Sequence, residues 1–272
     1  MSSFTLIGDP ITRHRSAVQL VASAGVAPPK EWTLLSQRLD AFLDRSDTPI
    51  KDRLAAAIIE GADPIEIAEL RAAAVAESLG PNLSERVVRD VRLAVGSKLI
   101  EFYSKAAPGN YKRCADAFTQ AAQKFSEAAS RCDAEASSEA IVSHPDSVRD
   151  AWLGSEKHAR TLDRLQSVLL ASAELAGTYR VTSDELLIPL VLDCSAAHRR
   201  KLWQAWSAKG RCGHWAALAA LNGVTIRACA DLNTLEPYRQ PKALQRKLVP
   251  TGERGKYTQV IHDPEDEIAA SA

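Results

Sequence analysis

The clearest pattern in the chain lies in Tyr111-Lys-Arg-Cys-Ala-Asp-Ala-Phe-Thr-Gln-Ala-Ala-Gln-Lys-Phe-Ser-Glu-Ala-Ala-Ser-Arg-Cys132. Apolar and small side chains recur there in alternating steps of three and four residues, which predicts an α-helix with one narrow apolar stripe. The stripe consists of Tyr111, Cys114, Phe118, Ala121, Phe125, Ala128 and Cys132. Such a helix needs another helix to cover its stripe. We therefore expect an all-α protein with a helical bundle around this segment.

Two further long helices are predicted beside the stripe helix. The upstream helix opens with the capping pair Asn82 and Glu85, and the downstream helix ends at Gly177. Because helices joined by short connections usually pack as antiparallel neighbours, residues 81–177 are predicted to form a coiled-coil-like three-helix bundle. We expect copies of the chain to associate through helices 82–177.

The N-terminal part, residues 1–80, is predicted to be a separate helical region. The first 30 residues look turn-rich, and residues 4–11 are expected to form a short strand or an extended arm. Short helices follow, because Thr48-Pro49 and Asp63-Pro64 each combine a capping residue with a proline in the first helical turn.

Composition and length agree with a helical globular protein. The chain has 272 residues, of which 46% are hydrophobic and 25% charged, which is enough for one or two cores. Alanine is abundant and aromatic residues make up only 6%, a balance that favours helix. No segment approaches the roughly 18 apolar residues of a membrane span, and the first residues lack a secretory signal pattern. The five cysteines are expected to be reduced thiols, so we predict a cytoplasmic location.

The formal net charge of zero conceals a polarised chain. Residues 194–257 contain twelve Lys/Arg and three Asp/Glu, whereas residues 1–193 contain 22 and 27. Residues 258–272 contain four Asp/Glu and no Lys/Arg. We therefore predict a basic helical region over residues 178–257, followed by an acidic tail over residues 258–272.

Within the basic region, residues 214–232 resemble a helix-turn-helix unit. Ala219 would lie where two helices cross, Gly223 would adopt the left-handed turn conformation, and Thr225 would cap a second helix over residues 226–235. If this second helix enters a major groove, its exposed side chains face the bases. A turn that contains glycine also joins ordinary packed helices, so the pattern fits two interpretations.

The candidate nucleic-acid-binding residues belong to this unit and to its basic flanks. They are Arg199, Arg200, Lys201, Lys209, Arg211, Thr225, Arg227, Arg239, Lys242, Arg246 and Lys247. Lysine and arginine contacts to phosphate supply most non-specific affinity, whereas Thr225 and Arg227 would face base edges. The sequence thus predicts a non-enzymatic nucleic-acid-binding protein that oligomerises through its bundle, such as a regulator or a phage-type DNA-handling factor.

A second interpretation of the basic region stays open. The predicted second helix carries one arginine, Arg227, which Asp231 offsets, whereas helices that read DNA usually carry more positive charge. A basic surface also fits an acidic protein partner. The alternative is therefore a structural or assembly protein, such as a phage-particle or scaffold component, whose basic C-terminal region contacts a protein.

The sequence offers no candidate catalytic site, so a binding or structural role is favoured over an enzymatic one. Zinc-like spacings, Cys-x-x-x-His and Cys-x-His, occur among five residues of the basic region. These residues are Cys194, His198, Cys212, His214 and Cys229. Because known zinc frameworks rely on paired short spacings and these two differ from each other, we predict no metal and no other cofactor.

The N-terminus carries one resemblance to an enzyme family. Leu6-Ile-Gly-Asp-Pro-Ile11, followed by His14 and Ser16, is similar to the opening of shikimate dehydrogenases. That family continues with a lysine-bearing Asn-Val-Thr-x-Pro motif and a Gly-rich dinucleotide loop, and neither follows in this sequence. The resemblance therefore does not lead us to expect a dehydrogenase.

Overall fold

The computed structural model describes residues 9–43, 50–78, 81–177, 181–250 and 257–266 and is mainly helical, as the sequence predicted. The helices are α1 (Pro10–Ser23), α2 (Lys30–Leu43), α3 (Ile50–Glu60), α4 (Pro64–Ser78), α5 (Pro81–Ser104), α6 (Ala107–Ala129), α7 (Ser138–Val142), α8 (Asp146–Leu175), α9 (Asp184–Val191), α10 (Arg199–Trp206) and α11 (Trp215–Ala219). The strands are β1 (Leu192–Asp193), β2 (Thr225–Ile226), β3 (Gln245–Pro250) and β4 (Tyr257–His262), and a 3₁₀ turn covers Leu232–Thr234. None of the described helices is both long and apolar enough to cross a bilayer.

Contacts divide the chain into two compact units. The first unit comprises Met1–Val18 and Ala27–Ala106, and the second comprises Gln19–Val26 and Ala107–Ala272. In the first unit, α2 packs against α5, α3 against α4, and α4 against α5. In the second unit, α6 packs against α8 and α10 against α11, while β1 pairs antiparallel with β2 and β3 with β4.

Helix α1 occupies residues that the sequence predicted to be turn-rich. The start signal is Asp9-Pro10, the same combination of capping residue and proline that opens other helices of this chain. One carboxylate oxygen of Asp9 accepts hydrogen bonds from the backbone N–H groups of Ile11 and Thr12, at 2.9 and 3.1 Å. The predicted N-terminal strand or arm lies mostly outside the described residues.

The first unit contains a half-buried histidine, His14, whose pKa is lowered by its surroundings. His14 Nε2 accepts a hydrogen bond from the indole Nε1–H of Trp32 at 3.2 Å, and the imidazole packs edge-on against Tyr103 with ring centres 5.7 Å apart. Burial lowers the pKa of His14 to about 4. Protonation would place a second donor opposite the Trp32 N–H and would remove this hydrogen bond.

We expect His14 to make the protein less stable in mild acid. An unfolded histidine titrates near pH 6.5, so between about pH 6.5 and 4 the unfolded state binds a proton that the folded state does not. The free energy of unfolding should therefore fall as the pH drops through this window, by about 2 kcal/mol once partial solvent screening is allowed for. Urea unfolding across this window would measure the loss.

The variant His14→Gln should remove most of this pH dependence, whereas the same change at the exposed His144 should retain it. Equal pH dependence in wild type and in His14→Gln would show that His14 does not carry the effect.

The second unit confirms the predicted stripe helix. Five of its seven stripe residues, Tyr111, Cys114, Phe118, Ala121 and Phe125, are buried on α6. The last two, Ala128 and Cys132, are half-buried, because the helix ends at Ala129. The covering helix is α8, and the Phe118 ring also packs against Trp215 of α11 with ring centres 6.0 Å apart.

The contacts of residues 81–177 do not confirm the predicted three-helix bundle. Helix α5 belongs to the first unit, where it packs against α2 and α4, whereas α6 and α8 belong to the second. Leu99 and Tyr103 of α5 are fully buried, and Tyr103 contacts His14 of α1. Contacts therefore group α5 with the first unit, whose second segment ends at Ala106, because Leu99 and Tyr103 contribute to the core of that unit.

Candidate functional site

The predicted second helix of the helix-turn-helix unit is wrong. Residues 225–235 form strand β2, an extended segment and a 3₁₀ turn. The first helix, α11, has only five residues, and Ala219 is exposed rather than packed at a helix crossing. Gly223 does adopt the predicted left-handed conformation, with a φ of 78°. The segment therefore has a tight turn but no recognition helix.

The backbone of residues 225–229 is already engaged by its neighbours, which explains why no helix forms there. Strand β2 pairs with β1, and the N–H groups of Arg227 and Cys229 extend the pairing by donating to carbonyl oxygens of α9 at 3.1 and 3.0 Å. The Tyr111 hydroxyl donates to the Cys229 carbonyl at 2.6 Å. The run Val224-Thr225-Ile226 is β-branched throughout, and such residues favour strand over helix.

Arg200 of α10 is paired with Asp263, which follows strand β4. Its Nε and Nη2 atoms donate to the two carboxylate oxygens at 2.5 and 2.9 Å, and Nη2 also donates to the Lys242 carbonyl at 2.5 Å. The hydrogen bond from Arg200 lowers the pKa of Asp263 to about 2. This arginine is therefore held by an acid of its own chain.

The same acidic segment pairs with the rest of the α10 N-terminus. His198 Nε2 lies 2.9 Å from a carboxylate oxygen of Asp266, and an Arg199 nitrogen lies 3.5 Å from the carboxylate of the buried Glu265. The acidic tail predicted over residues 258–272 thus begins as strand β4 and continues with side chains that neutralise α10. These contacts pair the basic side chains at the start of α10 with acids of the predicted tail, so the two oppositely charged segments partly neutralise each other.

Arg211, a predicted phosphate contact, holds segments of the second unit together instead. Its Nη1 donates to the Ala134 carbonyl and to the Ser155 hydroxyl, both at 3.0 Å. The guanidinium stacks on Trp152, with Cζ 3.6 Å from the ring centre, and Nη2 donates to the Trp152 carbonyl. The backbone N–H of Arg211 donates to the Glu135 carboxylate at 2.7 Å. These partners leave its side chain only 16% exposed.

Among the other residues predicted to contact nucleic acid, one arginine is ion-paired within the chain and the rest are exposed. Arg227 forms an ion pair with Asp193 at 2.6 Å, and Thr225 is exposed on β2. The exposed basic residues are Lys201, Lys209, Arg239, Lys242, Arg246 and Lys247. Four of these six lie in β3 or just before it. The exposed basic residues among the predicted contacts therefore cluster at a β-hairpin, not on a helix.

The β3–β4 hairpin is the element that sequence reasoning missed. Its strands pair from Gln245 opposite His262 to Pro250 opposite Tyr257. A signal was present, because the apolar pairs Leu248-Val249 and Val260-Ile261 lie on either side of residues 251–256, a segment with two glycines. Leu248 and Ile261 are 69% and 66% exposed on this hairpin. The result is a two-stranded ribbon whose surface is both basic and aliphatic.

One group of side chains in the described part of the chain has donor atoms close enough for a metal ion. His198, Asp263 and Asp266 bring one potential ligand atom each within 4.8 Å of one another. Because Arg200 already occupies both oxygens of Asp263, we interpret the group as paired charges rather than as a cation site. The cysteines with zinc-like spacing do not belong to it, and all five cysteines are free thiols.

Comparison with protein families, with curated proteins and with solved structures finds no match for this chain. Two features of the second unit bear on function: the α10 arginines are paired within the chain, and the β3–β4 hairpin presents basic and aliphatic side chains.

Proposed function

We propose that this protein is a non-enzymatic nucleic-acid-binding protein that contacts the phosphate backbone with its β3–β4 hairpin. The observation that carries the proposal is the placement of positive charge. Residues 239–256 contain six Lys/Arg and one Asp/Glu. By contrast, Arg199 and Arg200 of α10 lie against acids of the chain itself. Basic side chains that neutralise phosphates release counterions, which supplies most of the affinity of non-specific binding.

The shape of the hairpin supports the same partner. A two-stranded β-ribbon fits within the major groove of duplex DNA, which is about 12 Å wide. Arg246 and Leu248 are two residues apart on β3, so their side chains lie on one face of the ribbon. Ile261 pairs with Arg246 and lies on the same face. Arg246 on this face can reach a phosphate, and the aliphatic side chains can contact the apolar parts of bases.

Reversing charge on the hairpin and on the segment that precedes it tests the proposal. Arg239 and Arg246 are exposed, and neither forms an ion pair with a described residue. The double variant Arg239→Glu/Arg246→Glu should weaken binding to generic duplex DNA by at least about tenfold, and it should reduce the log–log salt slope by about 2, since each lost phosphate contact removes about 0.9. Fluorescence anisotropy at several salt concentrations measures both quantities.

The matched control places the same charge change on the stripe helix. Lys112 and Lys124 are exposed on α6, so Lys112→Glu/Lys124→Glu alters net charge equally without touching the hairpin. We expect a much smaller effect from this control. If the two double variants weaken binding equally, the affinity comes from the overall charge of the protein and the hairpin is not the contact element.

A structural or assembly protein is the second candidate, and exposed aliphatic residues of the α3–α4 hairpin favour it. Ile58, Ile59 and Ile65 are 58%, 84% and 71% exposed where these helices meet, and Ala68 and Ala72 continue an exposed stripe along α4. Contiguous exposed aliphatic surface of this kind is typical of protein–protein contacts. Absence of nucleic-acid binding at low salt would favour this candidate.

A further inference from the structure

The β3–β4 hairpin lacks the support that a small sheet needs. Within the described residues it is a two-stranded sheet with no third strand beside either edge. A two-stranded hairpin is at best marginally stable in water, and additional strands or a covered apolar face usually stabilise it. Leu248, Val249, Val260 and Ile261 are nevertheless 44–69% exposed. Among the described residues, no other strand therefore pairs with the hairpin, and it carries aliphatic side chains on both faces.

The two edges differ in how well they resist pairing with another strand. Strand β3 carries Arg246 and Lys247 and ends at Pro250, which has no backbone N–H. Charged residues and proline are the features that protect natural edge strands, and proline is confined to edge strands or strand ends. Strand β4, Tyr-Thr-Gln-Val-Ile-His, contains no Lys, Arg, Asp, Glu or Pro. Only the β4 edge is thus suited to a further strand.

We propose that β4 pairs edge to edge with β4 of a second copy of this chain. A two-fold axis perpendicular to the sheet makes such a pair antiparallel and keeps equivalent faces on the same side. The product is a four-stranded sheet with the two β4 strands in the centre and the two charged β3 strands outside. Leu248 and Ile261 of both copies then lie on one face of this sheet, because they share a face of each hairpin.

Charge selects the second copy as the occupant of this edge. Pairing of β3 with β3 would bring Arg246 and Lys247 of two copies together, and like charges on paired strands are destabilising. An acidic strand from another protein would be attracted to the basic β3 edge instead. An uncharged strand rich in β-branched residues suits the β4 edge, and a second copy supplies such a strand.

The contact is small, so the dimer should be weak. Each copy contributes a six-residue strand, whereas a standard interface contains about 20–30 residues on each side. We therefore expect a dissociation constant in the range of about 1–100 µM. This association does not depend on nucleic acid, so it is measured on the full chain alone and can fail or succeed independently of the proposed function.

Sedimentation equilibrium with matched variants tests the proposal. Thr258→Lys/Gln259→Lys adds two charges to the exposed β4 strand, and Gln245→Lys/Val249→Lys adds two charges to the exposed β3 strand. We expect the β4 variant to dimerise at least about tenfold more weakly than wild type, whereas the β3 variant should dimerise like wild type. Circular dichroism verifies that both variants keep their helices.

Hydrogen exchange provides a second measurement that does not depend on variants. Amides of residues 257–262 should exchange more slowly as wild-type protein is concentrated across the dissociation range, because pairing gives outward-facing N–H groups a new acceptor. A wild-type chain that stays monomeric above about 200 µM, the upper end of weak association, would overturn the proposal. So would a dimer that both double variants weaken equally, or one whose β4 amides exchange at the same rate at every concentration.

Discussion

Replacing Phe118 by aspartate is expected to unfold the second unit. The Phe118 side chain is fully buried on α6 and packs against Trp215. Loss of a buried phenylalanine alone costs about 3–5 kcal/mol, and an unpaired carboxylate in the same place adds a desolvation penalty. Their sum is comparable to the whole stability of a typical domain, about 5–15 kcal/mol. Circular dichroism should show lost helicity and a lost or much lower thermal transition.

The control for this change lies on the opposite face of the same helix. Gln120 is exposed, so Gln120→Asp introduces the same carboxylate in water and should change the midpoint of thermal unfolding only slightly. Wild-type stability of the Phe118→Asp variant would mean that the stripe is not buried, and the assignment of α6 as the central helix of the second unit would fail.

Replacing Arg211 by methionine is expected to produce the second-largest loss. Methionine keeps much of the side-chain volume but removes the hydrogen bonds from the guanidinium to the carbonyls of Ala134 and Trp152 and to the Ser155 hydroxyl, together with the stacking on Trp152. Hydrogen bonds from a charged group contribute about 1.5–3 kcal/mol each. Because Ser155 and Cys212 still donate to the two carbonyls, we expect a total loss of only about 3 kcal/mol. The midpoint of thermal unfolding should fall by roughly 10 °C.

Lys209 offers the matched control, because it is a neighbouring cation that is exposed. The change Lys209→Met removes the same charge and should leave stability nearly unchanged. If Arg211→Met keeps wild-type stability but Arg211 is needed for nucleic-acid binding, the original prediction of Arg211 as a phosphate contact would be correct and its structural role would be rejected.

Local sequence signals predicted the helices well where one physical cause dominated. The spacing of Phe118 and Phe125 determines which face of α6 is buried, and both side chains are fully buried. The cap signal Asp63-Pro64 was also informative, and the one that was overlooked, Asp9-Pro10, has the same chemistry. In both pairs an aspartate oxygen accepts the first helical N–H groups.

The helix-turn-helix prediction failed because a nonlocal partner decided the structure. The turn at Gly223 was correctly predicted from its conformational freedom. The residues that follow it pair with β1 and α9, and local periodicity does not report those contacts. A more decisive local cue was the β-branched run Val224-Thr225-Ile226, which favours strand and was outweighed by the resemblance to a DNA-binding motif.

The candidate site was only partly predictable, for the same reason. The basic composition of residues 194–257 identified the cations, but it did not show which of them are paired. Arg200 and Asp263 are separated by 63 residues and meet only in the folded chain. Counting charges along the sequence therefore overestimated the positive surface near α10, while the exposed cations of the hairpin were counted but not recognised as part of a ribbon.

The most direct test of nucleic-acid binding through the hairpin is the salt dependence of wild-type affinity for a generic DNA duplex. If the six Lys/Arg of residues 239–256 each neutralise one phosphate, the logarithm of the association constant should fall linearly with the logarithm of salt concentration, with a slope near −5. Absence of binding at about 50 mM salt, where electrostatic attraction is only weakly screened, or an affinity that does not change with salt, would contradict the account.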